Sequence, residues 1–334
     1  MRIFFDPRQL DHDPQQELHN GAWAPHAEHP GRTRSILDAI GPTEAPRDQG
    51  DSPLLRVHPR DYLDFLKTAH SDWQEAGRPG NAIGYTWPVA RRRPLNLSRI
   101  DARLGQYSYD AATPVAAGTW SAAYWGAQTA LAAAEAVLSG ESSAFALCRP
   151  PGHHCGADYL GGYCYLNNAA IAAEAAIAAG NQRVAILDVD YHHGNGTQDI
   201  FYERGDVLFV SIHADPATDY PFYWGHEDET GEGPGEGTNL NLALPQGTDF
   251  AAYRPALAKA LERIAAFGAE LLIVSYGADT FVGDPISNFA LDTADYPQMA
   301  GDIAALGLPT VIVMEGGYAT DLLGANVAAF LSGF

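Results

Sequence analysis

Chemistry-bearing side chains concentrate in a few short stretches. His153 and His154 stand in tandem; Asp188, Asp190, His192 and His193 fall within six positions; Asp279 and Tyr318 follow later. In extended chain alternate side chains share a face, so Asp188, Asp190 and His192 project together and His193 opposite. A carboxylate and an imidazole two residues apart are a ready ligand pair for a divalent metal such as zinc. Asp279 offers a third ligand, and three protein ligands leave an ion open to water and substrate, as catalytic zinc sites require. One of His153 and His154 would then take a proton from water and return it to a leaving amine, while the other stabilises charge. Asp188 and Asn195 suit the far nitrogens of these rings, fixing tautomer and basicity. Tyr318, on a glycine turn, could donate its hydroxyl to an oxyanion. Each feature alone has a bland reading: a polar turn, a helix cap, a core aromatic. Two acids and two histidines directly behind an apolar run are harder to dismiss, because buried unpaired charge is costly.

These residues need elements to hold them. The run 184–187 is continuously apolar and suits a strand buried on both faces of a parallel sheet. Residues 2–5, 144–148, 207–213, 271–276 and 310–314 read as further strands. Helices are predicted at 31–40, 61–66, 120–138, 168–179, 250–267, 299–306 and near the C-terminus, with Thr119 capping 120–138 and Gly140 stopping it. Strands alternating with helices imply a single α/β domain: a mainly parallel sheet in a three-layer αβα sandwich. Ligands in such folds sit beyond the C-terminal strand ends. Four strands here end in polar chemistry, at His153-His154, Asp190-x-His192, Asp279 and Gly317-Tyr318. Residues 6–31 and 214–238 read as loops. Residues 74–118 form a long excursion of little periodicity, carrying Tyr85, Trp87, Tyr107, Tyr109 and the run Arg91-Arg92-Arg93-Pro94, and are predicted to make a subunit contact.

The chain has 334 residues, 46% of them apolar, and a formal net charge of −21 from 41 acidic and 20 basic residues. Nothing basic enough to bind nucleic acid is present. An acidic field favours cationic substrates, or simply solubility. No apolar run approaches the ~20 residues of a membrane span, and no leader pattern opens the chain, so a cytoplasmic, membrane-free protein is expected. Cys148, Cys155 and Cys164 are odd in number and clustered, which fits reduced buried thiols better than disulfides.

The motifs RPPGHHC, ILDVDYHHGNGTQDIFY, VSIH, GADTFVGDP and EGGY, in that order, resemble the histone deacetylase family of the arginase-deacetylase fold. The resemblance runs over about 145–320. It implies zinc at Asp190, His192 and Asp279, His154 as general base and acid, His153 as its electrostatic partner, and Tyr318 polarising the carbonyl. It also implies a tunnel lined by Gly162 and Tyr163 with Tyr220 or Phe222 opposite, and a structural potassium ion at Asp188, Asp190, His192, Ser211 and Ile212. Many eukaryotic relatives carry Asp where this chain has Asn195. Within the family the chain is most similar to bacterial acetylpolyamine amidohydrolases, by its length, GGYCYLNNAA, QDIFYERGDV, AAFGAE and the 74–118 insertion. That likeness implies a homodimer built by the insertion and a narrow entrance for slender amines. An acid for the distal ammonium is not at its usual place: Ala112 stands there, with Asp110 and Asp101 nearby, and His19 replaces an aromatic.

The expected activity is therefore zinc-dependent deacetylation of small cationic N-acetylated polyamines. The runner-up is a broader lysine deacylase acting on acyl-lysine compounds or peptides. A non-catalytic binder is disfavoured by the full set of tandem histidines, ligands and Tyr318. An arginase-type enzyme with two manganese ions is disfavoured by the single ligand set.

Overall fold

The computed structural model describes residues 1–88 and 95–334, so the arginine run at 91–93 and Pro94 lie outside the described residues. A seven-stranded sheet forms from β1 (Arg2–Phe4), β4 (Ser143–Ala146), β5 (Val184–Asp188), β6 (Val207–Ala214), β7 (Asn239–Leu244), β8 (Leu271–Tyr276) and β9 (Thr310–Met314). Its order is β1-β4-β9-β8-β5-β6-β7, and every pairing in it is parallel. A small antiparallel hairpin, β2 (Gln16–His19) and β3 (Ala22–Pro25), stands apart.

Strand alternation divides the core in two. Val184 and Ile186 of β5, Ile273 of β8 and Val311 of β9 face one apolar cluster. Ala185 and Leu187, Leu272 and Val274, and Ile312 face the other. On the first face lie α2 (Arg60–Glu75), α3 (Ile100–Tyr107), α4 (Thr119–Leu138) and α5 (Asn168–Ala178). On the second lie α1 (Gly31–Ile40), α7 (Phe250–Phe267), α8 (Tyr296–Ala304) and α9 (Thr320–Leu331). The short α6 (Asn195–Phe201) follows the β5 motif. This is the expected αβα sandwich, with strands buried on both faces because helices cover both.

Several details differ from the sequence reading, among them the hairpin β2–β3 within residues 6–31 and the extension of α2 to Glu75. The 74–118 excursion contains α3, whose Ile100, Leu104 and Tyr107 are buried. β7 is not among the predicted elements; its NLNLAL alternation suits an edge strand. Thr119 opens α4 without capping it: its hydroxyl accepts from Ala116 N at 2.7 Å and meets His12 Nδ1 at 2.9 Å. No helix among the described residues is long and apolar enough to cross a membrane.

Candidate active site

The four strands β4-β9-β8-β5 are consecutive neighbours, so their C-terminal extensions meet on one rim. Beyond β5 and β8, Asp190, His192 and Asp279 each offer a ligand atom, all within 4.8 Å of one another. His192 Nδ1 lies 3.1 Å from Asp279 Oδ2 and 3.4 Å from Asp190 Oδ1. Backbone amides hold the carboxylates from behind: Gly316 N donates to Asp190 Oδ2 at 2.8 Å and Tyr191 N to Asp279 Oδ1 at 2.9 Å. Gly277 and Gly316 are needed for this approach, since a Cβ at Gly277 would run into the Asp190 carboxylate and one at Gly316 into those of Asp190 and Asp279.

Burial, with Asp190 adding, pushes Asp279 up to about 7. Burial works against charge on His192 too, but hydrogen bonds to Asp190 and Asp279 raise it to about 10. Asp190 is held below the usual carboxylate range, because His153 and His192 outweigh its burial. Two buried carboxylates facing one imidazole want a counter-charge of more than one proton. Two Asp oxygens and one imidazole nitrogen suit a divalent ion of the zinc type.

The tandem histidines follow β4. His153 Nδ1 sits 3.0 Å from Asp188 Oδ2, and His154 Nδ1 sits 2.7 Å from Asn195 Oδ1. Their ring centroids are 4.0 Å apart. Burial opposes charge on both. For His153 the carboxylates of Asp190 and Asp188 prevail and raise it to about 10. For His154 the cationic His153 and His192 add to burial and hold it well below the ordinary value. The environment thus pushes the two adjacent rings in opposite directions.

A cavity of about 130 Å³ opens onto this rim. His154, His192 and Tyr318 lie in its walls with Gly162, Tyr163, Tyr220, His19, Asp110, Ala112 and Ile286. Of the predicted tunnel residues, Phe222 is not in these walls. It is 49% exposed and lines a neighbouring aromatic recess with Trp87 and Trp224. Of the two alternatives, Tyr220 is the one that lines this cavity with Tyr163. Asp101 is also away from the cavity, paired with Arg78 and Arg99 at 2.5 and 2.7 Å. Asp188 and Ser211, two of the predicted potassium ligands, are register partners on β5 and β6, and Ile212 is the next residue of β6.

The profile of the histone deacetylase domain matches residues 26–334. The chain belongs to the histone deacetylase family. Among curated proteins, acetylpolyamine amidohydrolase 2 of Pseudomonas aeruginosa is 49% identical over 100% of this chain and 98% of its own. The acetylpolyamine amidohydrolase of Mycoplana ramosa is 46% identical over 100% and 99%. The crystal structure of acetylpolyamine aminohydrolase from Burkholderia pseudomallei superposes with a TM-score of 0.95 at 43% identity, covering 100% of this chain and 98% of that one.

In this histone deacetylase fold several residues frame the site that sequence reasoning missed. Arg149 and Arg32, both buried, share Glu28 Oε1 at 2.7 and 2.8 Å. Arg32 also donates to the carbonyls of Gly317 and Glu315 at 2.6 and 2.7 Å, which fixes the turn presenting Tyr318. Its guanidinium lies 4.7 Å over the Tyr318 ring. Glu28 is held at about 2 despite burial, by Arg149 and Arg32. Glu315 Oε2 accepts from Gly152 N and His153 N at 2.6 and 3.1 Å, tying the histidine loop to β9. Glu315, His153 and Cys164 could also share an ion by proximity. The Glu315 carboxylate is already committed to those amides and to Ser275. Only a charged residue inside an otherwise apolar or glycine-rich motif, as in RPPGHHC and EGGY, hinted at this frame.

Proposed function

We propose that this chain is a zinc-dependent amidohydrolase that converts N-acetylated polyamines, such as acetylputrescine and acetylcadaverine, to acetate and free amine. The observation that carries the reading is the three-ligand cluster Asp190, His192 and Asp279, whose His192 lines a narrow cavity together with His154 and Tyr318. The names of the full-length relatives favour acetylpolyamines as the substrate class.

Asp190, His192 and Asp279 would hold the zinc, which when bound supplies a Lewis acid that polarises the acetyl carbonyl and acidifies water. His154, neutral and bonded to Asn195, takes the proton of the attacking water and passes it to the departing nitrogen. His153, paired with Asp188, stays cationic and steadies the negative charge that develops nearby. Tyr318 donates its hydroxyl to the carbonyl oxygen as it becomes an oxyanion. Water adds to the acyl carbon, the C–N bond breaks, and the amine leaves with the proton carried by His154. A potassium ion at Asp188, Asp190, His192, Ser211 and Ile212 belongs to the same reading.

Gly162, Tyr163, Tyr220 and His19 form walls for an aliphatic stem, and Asp110 sets a carboxylate beside it for a distal ammonium. The 74–118 segment pairs two copies of the chain. The test is a substrate panel run with and without a zinc chelator. Acetylated diamines should be turned over at least about tenfold more efficiently than acetyl-lysine peptides, a difference of ~1.4 kcal/mol in transition-state binding. Chelation should abolish both activities. A preference for peptides would remove the polyamine reading, and chelator-resistant turnover would remove the metal.

A further inference from the structure

Beside His154, hydroxyl groups form a line that the mechanism above does not use. Asn195 Oδ1 faces His154 Nδ1 at 2.7 Å and the Tyr109 hydroxyl at 3.4 Å. The Tyr109 hydroxyl meets that of Tyr220 at 2.5 Å. The Tyr220 hydroxyl lies 2.9 Å from Asp110 Oδ2, which also accepts from Gly162 N at 2.7 Å. Asn195 Nδ2, buried, has no partner. The Tyr109 ring is held against Tyr159 and Trp224 with centroids 5.5 and 5.6 Å away, and it occupies the space that a Cβ on Gly161 would need.

Counting protons gives this line three states, and the one with Tyr220 donating to Asp110 and Tyr109 to Asn195 Oδ1 leaves the two phenol oxygens 2.5 Å apart with no proton between them, so two remain. Two phenols bring two protons to three contacts. In one state Tyr220 donates to Tyr109 and Tyr109 to Asn195 Oδ1. That oxygen then also accepts from His154 Nδ1–H, so Nε2 of His154 is bare. In the other, Tyr220 donates to Asp110, Tyr109 to Tyr220, and the Asn195 amide is turned round. Its NH₂ then donates to Tyr109 and to His154 Nδ1, so the ring proton sits on Nε2 and the ring cannot act as a base there. An amide is nearly symmetric in shape, so only its hydrogen-bond partners choose between these states. The hydrolysis proposed above needs Nε2 of His154 bare, which selects the state in which Tyr109 donates to Asn195 Oδ1.

We infer that Tyr109 is a positioning residue: its hydroxyl, held by Tyr220, fixes the orientation of the Asn195 amide and thereby keeps His154 in the tautomer with a bare Nε2. The inference rests on His154 being the base of the proposed hydrolysis. Its specific consequence is a dependence on the amide. A carboxylate at 195 accepts through either oxygen and has no wrong orientation, so with Asn195→Asp the tautomer no longer needs Tyr109.

The experiment is a double-mutant cycle of Tyr109→Phe and Asn195→Asp in the zinc-loaded enzyme, with kcat and KM measured separately. Tyr109→Phe alone should lower kcat by about three- to tenfold with KM changed less than about twofold, the scale of one neutral hydrogen bond. Beside Asn195→Asp it should change kcat by less than about twofold. Equal losses in both backgrounds, or no loss in either, would overturn the inference. A readout independent of turnover is the nitrogen NMR spectrum of histidine-labelled protein. The native enzyme and Tyr220→Phe, in which Tyr109 has only Asn195 left as an acceptor, should both show His154 protonated at Nδ1. Tyr109→Phe should show a mixture of tautomers. A single unchanged tautomer in Tyr109→Phe would overturn the inference even if catalysis itself followed another scheme. Failure of the native enzyme to hydrolyse acetylated amines would remove only the catalytic reading.

Discussion

Tyr318 contributes no atom to the Asp190–His192–Asp279 cluster, yet it lines the same cavity as His192. Tyr318→Phe should therefore retain zinc at one ion per chain while kcat falls about 10²- to 10³-fold, the usual cost of one oxyanion donor. Metal analysis and initial rates check both halves, and an unchanged rate would reject the hydroxyl's role. The ligands themselves predict how zinc uptake depends on pH. Without metal, His192 is raised to about 10 and Asp279 to about 7, so both hold protons at pH 6 and only His192 does at pH 8. Zinc must displace those protons. Uptake should release about two protons at pH 6 and about one at pH 8, and affinity should weaken more steeply with acidity below pH 7 than above it. Calorimetry in buffers of different ionisation enthalpy measures the count. Equal release at both pH values would contradict the shared burial of the two carboxylates.

At the scale of elements, the helices of the first face are pinned by buried polar groups with fixed roles. His58, just before α2, donates through Nδ1 to Ala157 O at 2.9 Å and accepts at Nε2 from Asn167 N at 3.0 Å. Asn167 in turn caps α5 by accepting from Ala170 N. Only the neutral ring can make both His58 bonds, and burial lowers its pKa to about 4. The unfolded chain binds a proton at His58 below about 6.5 and the folded one only near 4. Stability from this residue is thus complete above pH 6.5 and is lost as pH falls through 6.5 towards 4. Denaturant unfolding should show a decline of roughly 3 kcal/mol across that window from this ring. His213, also lowered by burial to about 4, adds to the decline. His58→Gln should flatten the acid slope, and an unaltered slope would show that His58 is not its source.

At the scale of the whole molecule, the described parts of the 74–118 segment carry more regular structure than its composition suggests. α3 packs into the first core, and Ala82 and Val115 bridge the two ends of the segment through paired backbone hydrogen bonds of 2.9 Å. A subunit interface needs a defined surface, and α3 with the Ala82–Val115 bridge supplies part of one. Light scattering on the purified chain should give twice the mass of one chain at micromolar concentration. A monomer at that concentration would remove the dimer from the proposed function. The charge of −21 acts at the same scale, as a long-range field that favours the approach of cations and resists that of nucleic acid.

What could be read from sequence alone was whatever is written in consecutive residues. The apolar runs of β5, β8 and β9 and the ligands just beyond them are local patterns, because strand direction and alternation carry a side chain from core to rim within a few positions. Hence Asp190, His192, Asp279, the tandem histidines and Tyr318 stand out as candidates in the sequence itself. The tertiary structure decided the rest. Which aromatic joins Tyr163 in the cavity wall depends on how the 214–238 loop folds back, and it is Tyr220, not Phe222. Glu28, Arg32 and Arg149 bond across as many as 285 positions of separation, and Asp110 meets Tyr220 across 110. Such contacts leave no periodic trace in the chain. Burial makes them strong by excluding water, and burial exists only once the sheet and its two helical layers have closed.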